Sequence, residues 1–151
     1  MKYDEMMKLF RDNGFDLERK MHIFYGTFPD MTEFVKNEEG IWEKHEYQER
    51  VRGYACSAYA REENMVNEIL THVYTESKWY LDYAAKGHKV ADANLESYTL
   101  AMKVFDKGVF RDVLPESYHG TGKNEIDQRS LAGIAIAGLA VAGLLKSIMK
   151  K

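Results

Sequence analysis

The run from Thr32 to Tyr74, TEFVKNEEGIWEKHEYQERVRGYACSAYAREENMVNEILTHVY, constrains the fold more than any other stretch of the chain. It holds two polar breaks that end in glycine, Asn37-Glu38-Glu39-Gly40 and Glu49-Arg50-Val51-Arg52-Gly53, each of the length that joins antiparallel neighbours. Between them IWEKHEYQ alternates, sending Trp42 to one side and Ile41, His45 and Tyr47 to the other, the period of two expected of a sheet with one wet face. The spacing predicts strands at about Thr32 to Lys36, Ile41 to Gln48 and Arg52 to Tyr59. In the last of these Tyr54, Cys56 and Ala58 share one face and Ala55, Ser57 and Tyr59 the other, and such small side chains predict a close cover. The next helix supplies it, with Met65, Val66, Ile69, Leu70 and Val73 repeating at three and four behind an acidic start at Glu62-Glu63.

On either side of this stretch the pattern is mostly helical. Tyr3, Met6, Met7 and Phe10 fall on one helical face, with Asp4 and Glu5 in the first turn and Asn13-Gly14 as the stop. Phe15 and Leu17 are expected to fold back on that apolar stripe. Met21 to Tyr25, MHIFY, is short and aromatic-rich and reads as an additional first strand, turned toward Thr32 by Gly26 and Phe28-Pro29-Asp30. The helix from Glu62 continues through Trp79, Tyr80 and Tyr83 to about Lys86, with Gly87 as its stop. It outreaches the sheet, so a kink is expected near Thr75 to Ser77. A further helix spans about Ala91 to Lys107.

The predicted class is therefore α+β: an N-terminal helix, an antiparallel meander of about four strands packed against helices, and a C-terminal apolar helix. Residues 1–128 form the body, with a core at 3–74, a helical extension at 75–110 and a loop at 111–128; residues 129–151 stand apart.

Composition narrows the function classes. A chain of 151 residues, 45% apolar and 13% aromatic, can build a core without staples. Cys56 is the only cysteine, which excludes an internal disulfide and a cysteine-cluster metal site and suits a reducing compartment. The first twenty residues are amphipathic and charged and do not read as a secretory leader, so a cytoplasmic body is expected. Residues 1–128 carry 17 Lys and Arg against 24 Asp and Glu, a net −7 beneath the formal −3 of the whole chain. An acidic body repels phosphates, so no nucleic-acid partner is expected; the excess acid either attracts a basic protein or only keeps the domain soluble.

The final segment changes character. Ser130 to Leu145 is sixteen residues without a charge, which as a helix would span ~24 Å. Lys146, whose ammonium can snorkel, and the residues to Met149 extend it to the ~20 residues a bilayer needs. Leu131 opens the apolar run, and Gly133, Gly138 and Gly143 recur every five residues, giving small-xxx-small spacings with Ala137 and Ala142. Three readings fit this tail: a membrane anchor, a packing helix of the body, and a detachable partner-binding helix.

No chemical fingerprint accompanies these elements. His22, His45, His72, His88 and His119 are scattered without HExxH or another paired ligand spacing, so no metal or cofactor is expected. His119-Gly-Thr-Gly-Lys123 lacks the leading glycine of a phosphate loop, Ser117 standing there, and Asn124 replaces its hydroxyl residue. There is no GxSxG elbow, and Cys56 within a strand of small residues reads as inert packing. The expected function is non-enzymatic. What stands out is Trp42, Tyr47, Tyr54 and Tyr59 alternating with Glu43, Glu46 and Glu49. Rings supply desolvated area and acids steer a basic partner, although one aromatic row must be core.

The first helix ending in Asn-Gly-Phe, the following strand, the meander EEGIWEKHEYQERVRG and the helix opening at Glu62-Glu63 resemble small α+β immunity proteins of bacterial polymorphic-toxin systems, over residues 3–74. The resemblance implies a non-catalytic inhibitor of one cognate toxin, here a basic one. Its most recognisable positions fall on Trp42, Glu49 and Arg50. Together with the alternating row, the candidate partner-binding residues are Trp42, Glu43, Glu46, Tyr47, Glu49 and Arg50. The segment after Tyr74 departs from that pattern and leaves open a membrane-tethered adaptor or membrane-stress protein instead.

Overall fold

A computed structural model describes residues 1–115. In chain order it contains α1 (Tyr3–Asp12), a 3₁₀ turn (Glu18–Lys20), α2 (Met21–Tyr25), β1 (Thr32–Lys36), β2 (Trp42–Gln48), a second 3₁₀ turn (Glu49–Val51), β3 (Gly53–Ala58), α3 (Glu62–Ala85) and α4 (Asp92–Asp106). The α+β class and the N-terminal helix are as expected, but the sheet has three strands, ordered β1-β2-β3 and antiparallel throughout. The predicted C-terminal apolar helix, with Leu131, Gly133, Gly138, Gly143 and Lys146, lies outside the described residues. Among the described residues no helix is long and apolar enough to cross a membrane.

The missing fourth strand is α2. Met21 to Tyr25 follows directly from the 3₁₀ turn and coils, which satisfies its backbone without a ladder partner and lets Phe24 enter the core. Its last carbonyls are met from the other helices: His72 Nε2 donates to the Phe24 carbonyl at 2.7 Å, and the Tyr98 hydroxyl approaches that of Ile23 at 3.5 Å. Gly26 ends the helix at φ 86°, where a Cβ would stand 3.2 Å from the Asp30 carbonyl oxygen. Aromatic and β-branched content was thus a poor guide in a segment this short.

Helix ends show why the glycine stops work. At the end of α1 the Phe15 N–H donates to the Phe10 carbonyl and the Gly14 N–H to Arg11, and the rings of Phe10 and Phe15 meet edge-on at 6.0 Å. That is a Schellman closure with its accompanying apolar contact. The same pattern ends α3, where His88 donates to the Tyr83 carbonyl, Gly87 to Ala84, and the Tyr83 and His88 rings stack at 4.2 Å. The assignment of α3 runs unbroken from Glu62 to Ala85, through Thr75 to Ser77. It serves two partners, meeting the sheet through Glu68 and α4 through Tyr74 and Tyr80.

The core is helical. Met6, Met7 and Phe10 of α1, Met65 through Leu81 of α3, Leu95 through Phe105 of α4, and Phe110 and Leu114 beyond it form one buried cluster with Phe15, Leu17 and Phe24. No residue of β1, β2 or β3 is fully buried. The sheet instead docks on this cluster through half-buried Phe34 and Trp42, with Tyr59 just past β3. Polar ties hold it there: Lys44 Nζ bonds Glu68 at 2.8 Å, and the Tyr59 hydroxyl donates to the other oxygen of Glu68 at 2.8 Å. The meander is therefore an outlying layer on a helical body, and its far face is free to be shaped by something other than packing.

Candidate functional site

Register decides which residues that far face presents. Phe34 lies opposite Lys44, and Lys36 opposite Trp42, so the even positions of β1 and β2 face α1 and α3. Alternation then places Glu33 and Val35 of β1, Glu43, His45 and Tyr47 of β2, and Tyr54, Cys56 and Ala58 of β3 on the opposite side. None of these eight positions is a lysine or arginine.

The candidate residues separate accordingly. Trp42 packs inward, its ring 4.7 Å from Tyr3 and covered by the Lys36 ammonium at 5.6 Å, so it is a docking residue of the sheet. Glu46 shares that parity and pairs loosely with Lys44 at 3.9 Å. Glu43 and Tyr47 are on the outer face, and Glu49 and Arg50 are exposed in the turn at its end. The period of two separated the rows correctly. Which row faced inward depended on α1, contributed from far away in sequence.

At one end of the face Tyr47 and Tyr54 meet edge-on at 5.6 Å, and the Tyr54 hydroxyl donates to the Pro29 carbonyl at 2.5 Å. That bond pins the Phe28-Pro29-Asp30 corner beside the pair and leaves the Phe28 ring 80% exposed. The Tyr47 hydroxyl is pushed up by partial desolvation and by the negative charges of Glu49 and Asp30. The result is an aromatic patch rimmed by carboxylates.

In the middle of the face three further side chains converge. Glu43 Oε1 is 3.0 Å from His45 Nε2, and Cys56 Sγ is 3.7 Å from the same nitrogen. Asn37 Nδ2 donates to Glu43 Oε2 at 3.0 Å. Hydrogen bonds from His45 and Asn37 hold the Glu43 carboxyl below the usual range, whereas desolvation and the Glu43 charge push the Cys56 thiol up. A nucleophilic relay needs the acid on one imidazole nitrogen and the nucleophile on the other. Here acid and thiol share one nitrogen, which is not the geometry of that relay. From sequence, His45 showed no ligand spacing and Cys56 read as inert packing. The signal that joins them is the hairpin length: pairing Gln48 with Gly53 sets His45 directly across from Cys56.

An open hollow of about 370 Å³ lies between α2 and β1, lined by Tyr3, Met21, His22, Phe28, Met31 and Phe34 among others. It is mostly apolar and gathers no set of converging acids and imidazoles.

Fold and face together define an α+β protein with a three-stranded antiparallel sheet that turns one side to helices and presents the other, acidic and aromatic, outward. No protein-family model matches the chain, and comparison with characterised proteins and with solved structures finds no match.

Proposed function

We propose that this protein is a non-catalytic binding protein that neutralises a cognate basic toxin, gripping it with the outer face of the sheet. The observation that carries the reading is the Tyr47–Tyr54 pair, held at the Pro29 corner beside Asp30 and Glu49, on a face that also carries Glu33 and Glu43 and whose strand positions include no lysine or arginine. Rings already fixed in place lose little freedom on binding, and the carboxylates accelerate encounter with a cationic surface while rejecting acidic ones. Placing the grip on a layer that contributes little to the core allows its residues to suit a partner without unfolding the body. The likeness of residues 3–74 to immunity proteins supports the toxin as the partner class. Co-expression with the product of an adjacent gene tests it: rescue of growth by the wild-type chain is expected, and growth arrest unaffected by the chain contradicts it.

A second reading rests on the uncharged run from Ser130 to Leu145. It makes the protein a membrane-tethered adaptor whose acidic body faces the cytoplasm. Retention of the full chain in carbonate-washed membranes supports this reading, and release into the soluble fraction removes it.

A further inference from the structure

The geometry points to Glu43, His45 and Cys56 as a three-ligand site for a zinc-class divalent ion on the outer face of the sheet. Glu43 Oε1, His45 Nε2 and Cys56 Sγ all lie within 4.8 Å of one another. Tetrahedral zinc, with bonds of ~2.0 Å to nitrogen and oxygen and ~2.3 Å to sulfur, places its nitrogen and oxygen donors ~3.3 Å apart and its nitrogen and sulfur ~3.5 Å apart. The distances from the histidine nitrogen here are 3.0 Å and 3.7 Å, close to those values, and the oxygen and sulfur lie within 4.8 Å of each other, so side-chain rotation is what closes the third edge. Glu43 and His45 are two apart on one strand and project to one side, and Cys56 is the direct cross-strand partner of His45.

Three further observations fit an ion rather than a surface hydrogen-bond chain. Asn37 holds the second oxygen of Glu43 and leaves the first directed at the shared point, the kind of outer support that orients a metal-binding carboxylate. Thiolate and imidazole together select zinc-like ions over magnesium or calcium. A carboxylate and a thiolate neutralise a divalent ion, and the neighbouring Glu33, opposite His45 on β1, adds negative potential with no lysine or arginine at the facing strand positions. Binding releases the thiol proton and frees Nε2 of its own. Three protein donors leave a fourth position toward solvent, for water or for a donor from a bound molecule.

This proposal does not depend on the toxin-binding reading, because it is tested on the isolated full chain. Cobalt(II) titrated under reducing conditions should give a thiolate-to-cobalt charge-transfer band and the visible bands of a tetrahedral ion, saturating at one cobalt per chain and displaced by one equivalent of zinc. Cys56 is the only cysteine, so the charge-transfer band reports this site alone. Cys56→Ser should abolish the band. Asn37→Ala should weaken zinc binding ~10–100-fold, and His45→Ala should weaken it more. Cys56→Ser and His45→Ala should keep the metal-free far-UV spectrum and unfolding midpoint of the wild type; Asn37→Ala, which also loses its turn bonds to the Glu39 and Ile41 N–H groups, should keep the spectrum. A featureless titration, one metal shared between two chains, or zinc affinity unchanged by His45→Ala would overturn the assignment.

Discussion

Replacing Phe10 by alanine tests the division of the molecule into a helical core and an outlying sheet. Phe10 is fully buried, and its ring meets those of Phe15, Phe105 and Phe110 at 6.0, 5.9 and 5.0 Å. Truncation removes the transfer energy of the ring and leaves a cavity between α1 and α4 whose walls are held by helix backbones, so the cost is ~4 kcal/mol. At ~4 °C per kcal/mol for a body of this size, the thermal midpoint should fall by ~15 °C. Phe34 on the sheet is the matched control. Its ring is half-buried and reaches Tyr25 at 5.2 Å and Tyr59 at 6.4 Å. Losing about half the burial, Phe34→Ala should cost ~2 kcal/mol. Urea unfolding followed by far-UV circular dichroism gives both values on one scale. Equal losses for the two variants would refute the reasoning, because the sheet would then carry as much of the core as α1 does.

Two other outcomes follow from the same packing. Glu62, at the start of α3, accepts the Tyr3 N–H of α1 at 2.7 Å and so caps a second helix. Its side chain is 17% exposed, and Glu62→Ala should cost ~1–2 kcal/mol in urea unfolding, whereas a loss within experimental error would show that the tie is idle. Burial raises the phenol groups of Tyr3, to about 12, and of Tyr25, Tyr59 and Tyr98 further still, above the ordinary value of 10.0. A raised folded value means stability that is complete below the unfolded value and lost as pH rises. The urea midpoint should therefore hold to about pH 10 and decline between about pH 10 and about pH 12; a midpoint constant across that window contradicts the burial of these rings.

Much of this fold was legible where local chemistry decides it. The glycine stops at Gly14 and Gly87 end their helices by backbone closure, and Asn37-Glu38-Glu39-Gly40 turns the first hairpin with the Asn37 side chain accepting from the Glu39 and Ile41 N–H groups. Where distant packing decides, the sequence was silent. Met21 to Tyr25 is helical because α3 and α4 satisfy its carbonyls, and Trp42 turns inward because Tyr3 waits there. The convergence of Glu43, His45 and Cys56 required an exact hairpin register. That register turns on a 3₁₀ turn followed by Arg52 at φ 51°, a conformation that glycine or asparagine would announce and arginine does not.

The partner residues proposed at the outset divide along the same line. Tyr47 and Glu43 share the outer face, while Trp42 anchors the sheet to the body. Affinity in the proposed complex should therefore reside in the tyrosine pair rather than in the tryptophan. The most direct measurement is the dissociation constant of the purified chain for the adjacent-gene toxin domain, wild type against Tyr47→Ala/Tyr54→Ala. With two aromatic anchors lost, the double variant should bind ~30-fold or more weakly while keeping the far-UV spectrum and cooperative unfolding of the wild type. Undiminished affinity in the folded double variant, or no binding by the wild type, would contradict a gripping outer face.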